Sequence, residues 1–137
     1  MRIIFLCLTL LAASCASKPP SVATHHQHPD TPPTVCDILV SAINHEDWKA
    51  LDAWAKPGTS ANQLVQAWEN AAKTNHAVKV GKFLNVQTVG GATNKPLKLY
   101  SYSLENKDGT VHPHWLQIKV RESDGQAEVV DFWNFGW

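Results

Sequence analysis

Two histidines flanking a proline (His112-Pro113-His114), an aspartate at Asp131 and two tyrosines, Tyr100 and Tyr102, are the residues whose types suit proton chemistry. A neutral imidazole exchanges a proton near neutral pH, and a nearby carboxylate can orient it or act as base. In a dry pocket an Asp–His pair has shifted pKa values and can move protons. This reading makes Asp131 the base or orienter, His114 the acid/base, and Tyr100 or Tyr102 a hydrogen-bond donor. It rests on strand parity, which puts His112 and His114 on the face of Leu116, and a slip of one residue would reverse it. Each residue also has a plainer role. Histidines flanking a proline near a hairpin are usually solvated, alternating tyrosines are usually core or rim, and an aspartate between valine and phenylalanine is often paired locally. No Ser-His-Asp order, phosphate-binding glycine loop or spaced metal-ligand set accompanies them.

A second cluster, His25, His26 and His28, lies in the segment ASKPPSVATHHQHPDTPP, which holds five of the chain's eight prolines. Neutral imidazoles ligate zinc, copper or nickel. No cysteine or carboxylate stands at a structural-site spacing, however, and a disordered ligand set bears its own ordering cost. The expectation is a polar linker with no metal and no cofactor. Such a stretch buries too little apolar surface to fold, so residues 15–33 read as a disordered tether. At about 3.1 Å per residue it would reach roughly 50 Å.

The remainder must supply the elements that position any site. The chain of 137 residues is one domain's worth, with zero formal net charge and no electrostatic footprint for nucleic acid. From Thr34, a weak capping-box start, Leu39, Ala42 and Ile43 recur at helical spacing. Glu46 and Asp47 precede a second helix striped by Trp48, Leu51, Trp54 and Ala55, ended by Pro57-Gly58. Thr59 or Ser60 caps a third, striped by Leu64, Ala67, Trp68 and Ala71. Tryptophans at this spacing are more often core than pocket lining. After His76 the period becomes two. Gly81 is a candidate bulge, and Gly90-Gly91 begins a polar turn running to Pro96. Leu97 and Leu99 share one face, with Tyr100, Tyr102 and Leu104 alternating toward the other. Asn106 to Gly109 signals a hairpin. Pro113 puts the start of the next strand at an edge or a bulge, before Leu116, Ile118 and Val120 turn inward. The last strand, Gln126 to Trp137, carries Val129, Phe132, Trp133 and Phe135. Helices followed by a meander predict an α+β domain over 34–137, with three helices packed on about four antiparallel strands.

Two resemblances add to this reading. Arg2, the apolar run Ile3–Ala13 and Leu11-Ala12-Ala13-Ser14-Cys15 resemble the signal and lipobox of bacterial lipoproteins. The resemblance implies cleavage after residue 14, lipid (including palmitate) on Cys15, and outer-membrane sorting toward the periplasm, because Ala16 replaces the aspartate of inner-membrane members. An ordinary secretory cut is the alternative and would leave a soluble periplasmic or secreted protein. With Cys7 discarded and Cys15 lipidated, Cys36 stands alone. The element order, with Leu64-Val65-Gln66-Ala67-Trp68, Val80-Gly81-Lys82-Phe83 and Val129-Val130-Asp131-Phe132-Trp133, resembles the cone-shaped SnoaL-like (nuclear-transport-factor-2-like) superfamily. That resemblance implies a curved sheet and a hollow used for acid/base chemistry or ligand binding. A cystatin-like helix-on-sheet fold is the alternative.

Two functions follow. One is a membrane-tethered, non-catalytic domain that binds an envelope protein or a small apolar ligand, in an immunity-type or envelope-assembly role. The other is a cone-pocket isomerase or dehydratase using Asp131 and His114. A deep pocket joining those two residues favours the enzyme. An interior filled by Trp68, Trp115 or Phe132, with aromatics exposed outside, favours the binding domain.

Overall fold

The switch from helical to alternating periodicity after His76 divides the molecule into its two layers. A computed structural model describes residues 20–23 and 31–135. The order is β1 (Ser21–Ala23), α1 (Thr34–Asn44), α2 (Trp48–Leu51), α3 (Ser60–Lys73), β2 (Val78–Ala92), β3 (Lys95–Asn106), β4 (Val111–Ser123) and β5 (Gln126–Phe135). The fold is α+β, as expected, with three helices preceding four long antiparallel strands. The sheet is open, ordered β1-β5-β4-β3-β2. Within the expected tether, Ser21–Ala23 pairs with Gln126–Glu128 as a short edge strand. The segment read as a signal, Cys15, His25, His26 and His28 lie outside the described residues, as does Trp137.

Several helical details differ from the sequence expectation. Pro33, not Thr34, occupies the N-cap of α1, without a side-chain cap bond. Glu46 adopts a left-handed φ of 55° in the linker rather than opening a helix. Asp47 caps α2 by accepting from the Ala50 amide at 3.0 Å, and α2 lasts only four residues. The chain then runs through irregular turns that still bury Trp54. In α3 the Thr59 hydroxyl accepts from the Asn62 amide at 3.2 Å, a standard cap. Its buried stripe is Ala61, Leu64, Val65 and Trp68, so Ala67 is exposed where the sequence had placed it inward.

Register explains the glycines and the proline. Val80 pairs with Leu104 and Phe83 with Tyr102, so the strand bulges around Gly81 as expected. Gly90 and Gly91 are not a turn. They pair with Leu97 and Pro96, and the turn is Thr93-Asn94. Gly91 has a φ of 90°, and a Cβ there would collide with the Lys95 carbonyl. Ser103 pairs with Trp115 and Glu105 with Val111, so residues 112–114 face Leu104 alone. Pro113 therefore sits in a bulge, where its missing N–H breaks no ladder bond.

Packing follows from alternation. Tyr100, Ile118 and Phe132 are cross-strand partners, and all three are fully buried against the helices with Leu39, Leu51 and Leu116. The free edge of β2 is held at one point by Asn44. Its side-chain amide donates to the Val80 carbonyl at 3.0 Å and accepts from the Val80 amide at 2.8 Å. One side chain thereby mimics the next strand and blocks edge pairing there.

Candidate functional site

Asp131 sits on a bulge. Lys119 pairs with Asp131 but Val120 with Val129, leaving Val130 as the extra residue. The bulge turns the carboxylate toward α3, and Oδ1 accepts from the Ala61 and Phe132 amides, both at 2.9 Å. Ala61 is in the first turn of α3, where amides lack intrahelical partners and the helix dipole favours negative charge. Asp131 is a strut between β5 and α3.

His114 lies elsewhere. It is five positions along β4 from Lys119, the partner of Asp131, or roughly 16 Å along the strand. The structure therefore does not bring Asp131 and His114 together as the acid/base pair read from parity. Distance along the strands is the reason: alternation tells which face a residue takes but not how far apart two residues lie along a paired strand. Within the bulge at residues 112–114 His112 Nδ1 accepts from the His114 amide at 3.1 Å, and the two rings stand 5.0 Å apart. The pair knits the irregular backbone around Pro113. Among the described residues no group of three or more metal-ligating side chains occurs.

Tyr100 and Tyr102 point inward as parity predicted, but into packed core, 0% and 4% exposed. The Tyr100 hydroxyl donates to Glu122 Oε1 at 2.7 Å, and Lys98 reaches the other carboxylate oxygen at 3.1 Å. The Tyr102 hydroxyl meets the Cys36 thiol without a well-aligned bond. Burial, followed by the adjacent Glu122 carboxylate, raises the Tyr100 phenol far above its ordinary range. Burial and the neighbouring Cys36 do the same to Tyr102, and burial with Asp37 nearby does so to the Cys36 thiol. These groups stay neutral, beneath the helices and away from solvent.

Of the aromatic residues singled out from the sequence, Trp54, Trp68 and Phe132 are core, and Trp48 packs half-buried against it. Trp115 is different. It projects from the face of the sheet opposite the helices, its ring 4.9 Å from that of Phe135. These two help line a groove of about 520 Å³ with Leu84, Asn85, Gln87, Leu99, Ser101 and Gln117. A shallower depression of about 460 Å³ lies between α1 and α2, beside Asp37, Ser41 and His45. Asn85, Ser101 and Gln117 carry no signal in the sequence, because single neutral polar residues on the outward positions of a strand are what any half-buried strand shows. The same alternation that buries Tyr100 and Ile118 turns Ser101 and Gln117 outward.

No family model matches the chain, and no curated protein or solved structure matches it either.

Two outcomes test these assignments. Asp131→Ala should lower unfolding stability by about 0.5–2 kcal/mol in urea titration, the usual scale for a lost helix cap. Asp131→Asn, which keeps an acceptor oxygen, should lose less; an alanine variant as stable as the parent would overturn the strut. The second concerns alkaline pH. The unfolded thiol and phenols titrate near 9.0 and 10.0, whereas the folded chain holds those protons longer. The unfolded state then binds fewer protons than the folded one, so stability is complete below about pH 9 and falls above it. The slope approaches ~1.4 kcal/mol per pH unit for each group. Urea midpoints on either side of that pH, with Cys36 labelled by a thiol reagent only at the rate of global unfolding, would show it. A flat midpoint argues against it.

Proposed function

We propose that this chain is a lipid-anchored protein of the bacterial cell envelope whose domain binds another envelope component and carries out no chemistry. The observation that supports a binding role is where the aromatic residues lie. Trp54, Trp68 and Phe132 fill the interior, while Trp115 and Phe135 stand on the open face of the sheet beside a groove. The residues expected to do acid/base chemistry serve packing instead: Asp131 holds α3, the histidines brace a bulge, and the tyrosines are buried. Half-exposed aromatic surface of this kind marks interaction sites.

Anchoring rests on the lipobox-like Leu11–Cys15, with the outer membrane facing the periplasm as the location. The described residues contain no helix long and apolar enough to cross a membrane. A cone-like, SnoaL-like form of the helix-on-sheet fold belongs to the same proposal. It is supported by the element order and by the register shifts of β2, because bulges bend strands.

Cys15→Ser should move the protein from the membrane to the soluble envelope fraction and abolish incorporation of labelled palmitate. Unchanged labelling would rule out Cys15 as the anchor. For the binding role, a photo-crosslinking residue at Gln117 in intact cells should give a discrete adduct. The same residue at Gln66, on the exposed side of α3, should give none; equal yields at both sites would sink the open-face assignment.

A further inference from the structure

Cross-strand register arranges the open face into rows. Asn85 pairs with Ser101, Ser101 with Gln117, and Gln117 with Trp133. Three neutral polar side chains therefore stand side by side across β2, β3 and β4. At the strand spacing of about 4.8 Å the row spans roughly 10 Å. The neighbouring row on one side ends in the Trp115–Phe135 pair, and the row on the other includes Gln87 and Leu99. The groove thus has a floor of amide and hydroxyl groups and a wall of aromatic rings. None of the side chains that line it is charged. Lys119 lies over the Trp133 ring at 5.7 Å, which leaves Trp115 and Phe135 as the available rings.

This chemistry selects its ligand. A purely apolar molecule would cover the Asn85 and Gln117 amides without bonding to them and leave them unpaired, while Ser101 between them is already 4% exposed. A cation would find no opposite charge in the lining, and the cation beside it, Lys119, the partner of Leu99, is engaged over the Trp133 ring. A sugar ring meets both demands, because its C–H face packs on an aromatic ring while its rim of hydroxyls pairs with amides, each of which offers donors and an acceptor. The groove volume falls in the range of small-ligand sites. The strand spacing is also close to the advance of one ring along a β-linked chain. We propose that the row Asn85–Ser101–Gln117, walled by Trp115 and Phe135, is a binding site for a neutral β-linked glycan lying across the strands. This rests on the binding-domain reading and names the class of component that the open face recognises.

The test is titration of the full chain, in a non-glycosidic detergent, with β-linked tetrasaccharides of glucose and of N-acetylglucosamine. Calorimetry and tryptophan fluorescence give the readout. Saturable binding of at least one of them is expected, and preference between the two shows whether acetamido groups contribute. Trp115→Ala and Gln117→Ala should each weaken binding about tenfold or more, and Gln66→Ala should leave it unchanged. Should Trp115→Ala fail to fold by circular dichroism, Gln117→Ala and Gln117→Glu carry the test, the latter by placing a charge in a neutral row. Failure of both sugars to saturate at millimolar concentration, or binding indifferent to Gln117, overturns the proposal. A Gln117 crosslink to a protein with no glycan binding overturns it while leaving the binding-domain reading standing. Absence of any Gln117 adduct together with absence of sugar binding overturns both.

Discussion

The register between β3, β4 and β5 is the constraint on which the rest of this molecule depends. With Tyr100, Ile118 and Phe132 aligned, one row of large side chains is buried whole against the helices. A shift of one residue would turn Ser101, Gln117 and Trp133 inward and expose the core set. The two faces of the sheet are therefore a single decision. Burial of Tyr100 and Phe132 is what puts an amide, a hydroxyl and two aromatic rings on the opposite side.

Irregularities in that register do as much as its regular part. The bulge at Val130 turns the Asp131 carboxylate onto the first turn of α3, fixing the helix relative to the sheet. The bulge at residues 112–114 absorbs a proline and pairs two histidines through a backbone bond. Both features look catalytic when read as residue types. The Asp131 carboxylate and the His112 ring each accept from a main-chain amide, which is a structural duty. A different polar set lies under the helices, where Tyr100, Glu122 and Lys98 join in one cluster and the phenol is held neutral by burial. The open face of the sheet offers aromatic rings and neutral amides to its surroundings, which supports the binding role proposed above.

Much of the fold was legible because periodicity is local. The helix-to-strand switch near His76, a cap at Thr59 or Ser60, the Gly81 bulge, the Asn106–Gly109 hairpin and the inward set Leu116, Ile118 and Val120 all follow from spacing and turn chemistry. The errors are equally physical. Gly90-Gly91 reads as a turn from composition, yet the pairing of β2 with β3 carries both glycines inside the ladder. Ala67 was placed in the stripe of α3, but an alanine contributes little to burial, and Val65 packs instead. Ser21–Ala23 carries no strand signal strong enough to stand alone, and pairs only because β5 offers it an edge.

By itself the sequence determined the class of the fold, the absence of an electrostatic footprint for nucleic acid, and the residues capable of proton chemistry. Those properties live in composition and in short-range pattern. Only the tertiary structure decided which polar residues meet. Asp131 and His114 are separated by the run of β4, whereas Asn85, Ser101 and Gln117, which are 16 residues apart at each step, become neighbours. Strand pairing brings distant positions together according to register, and register is set by where bulges fall and which face the core claims.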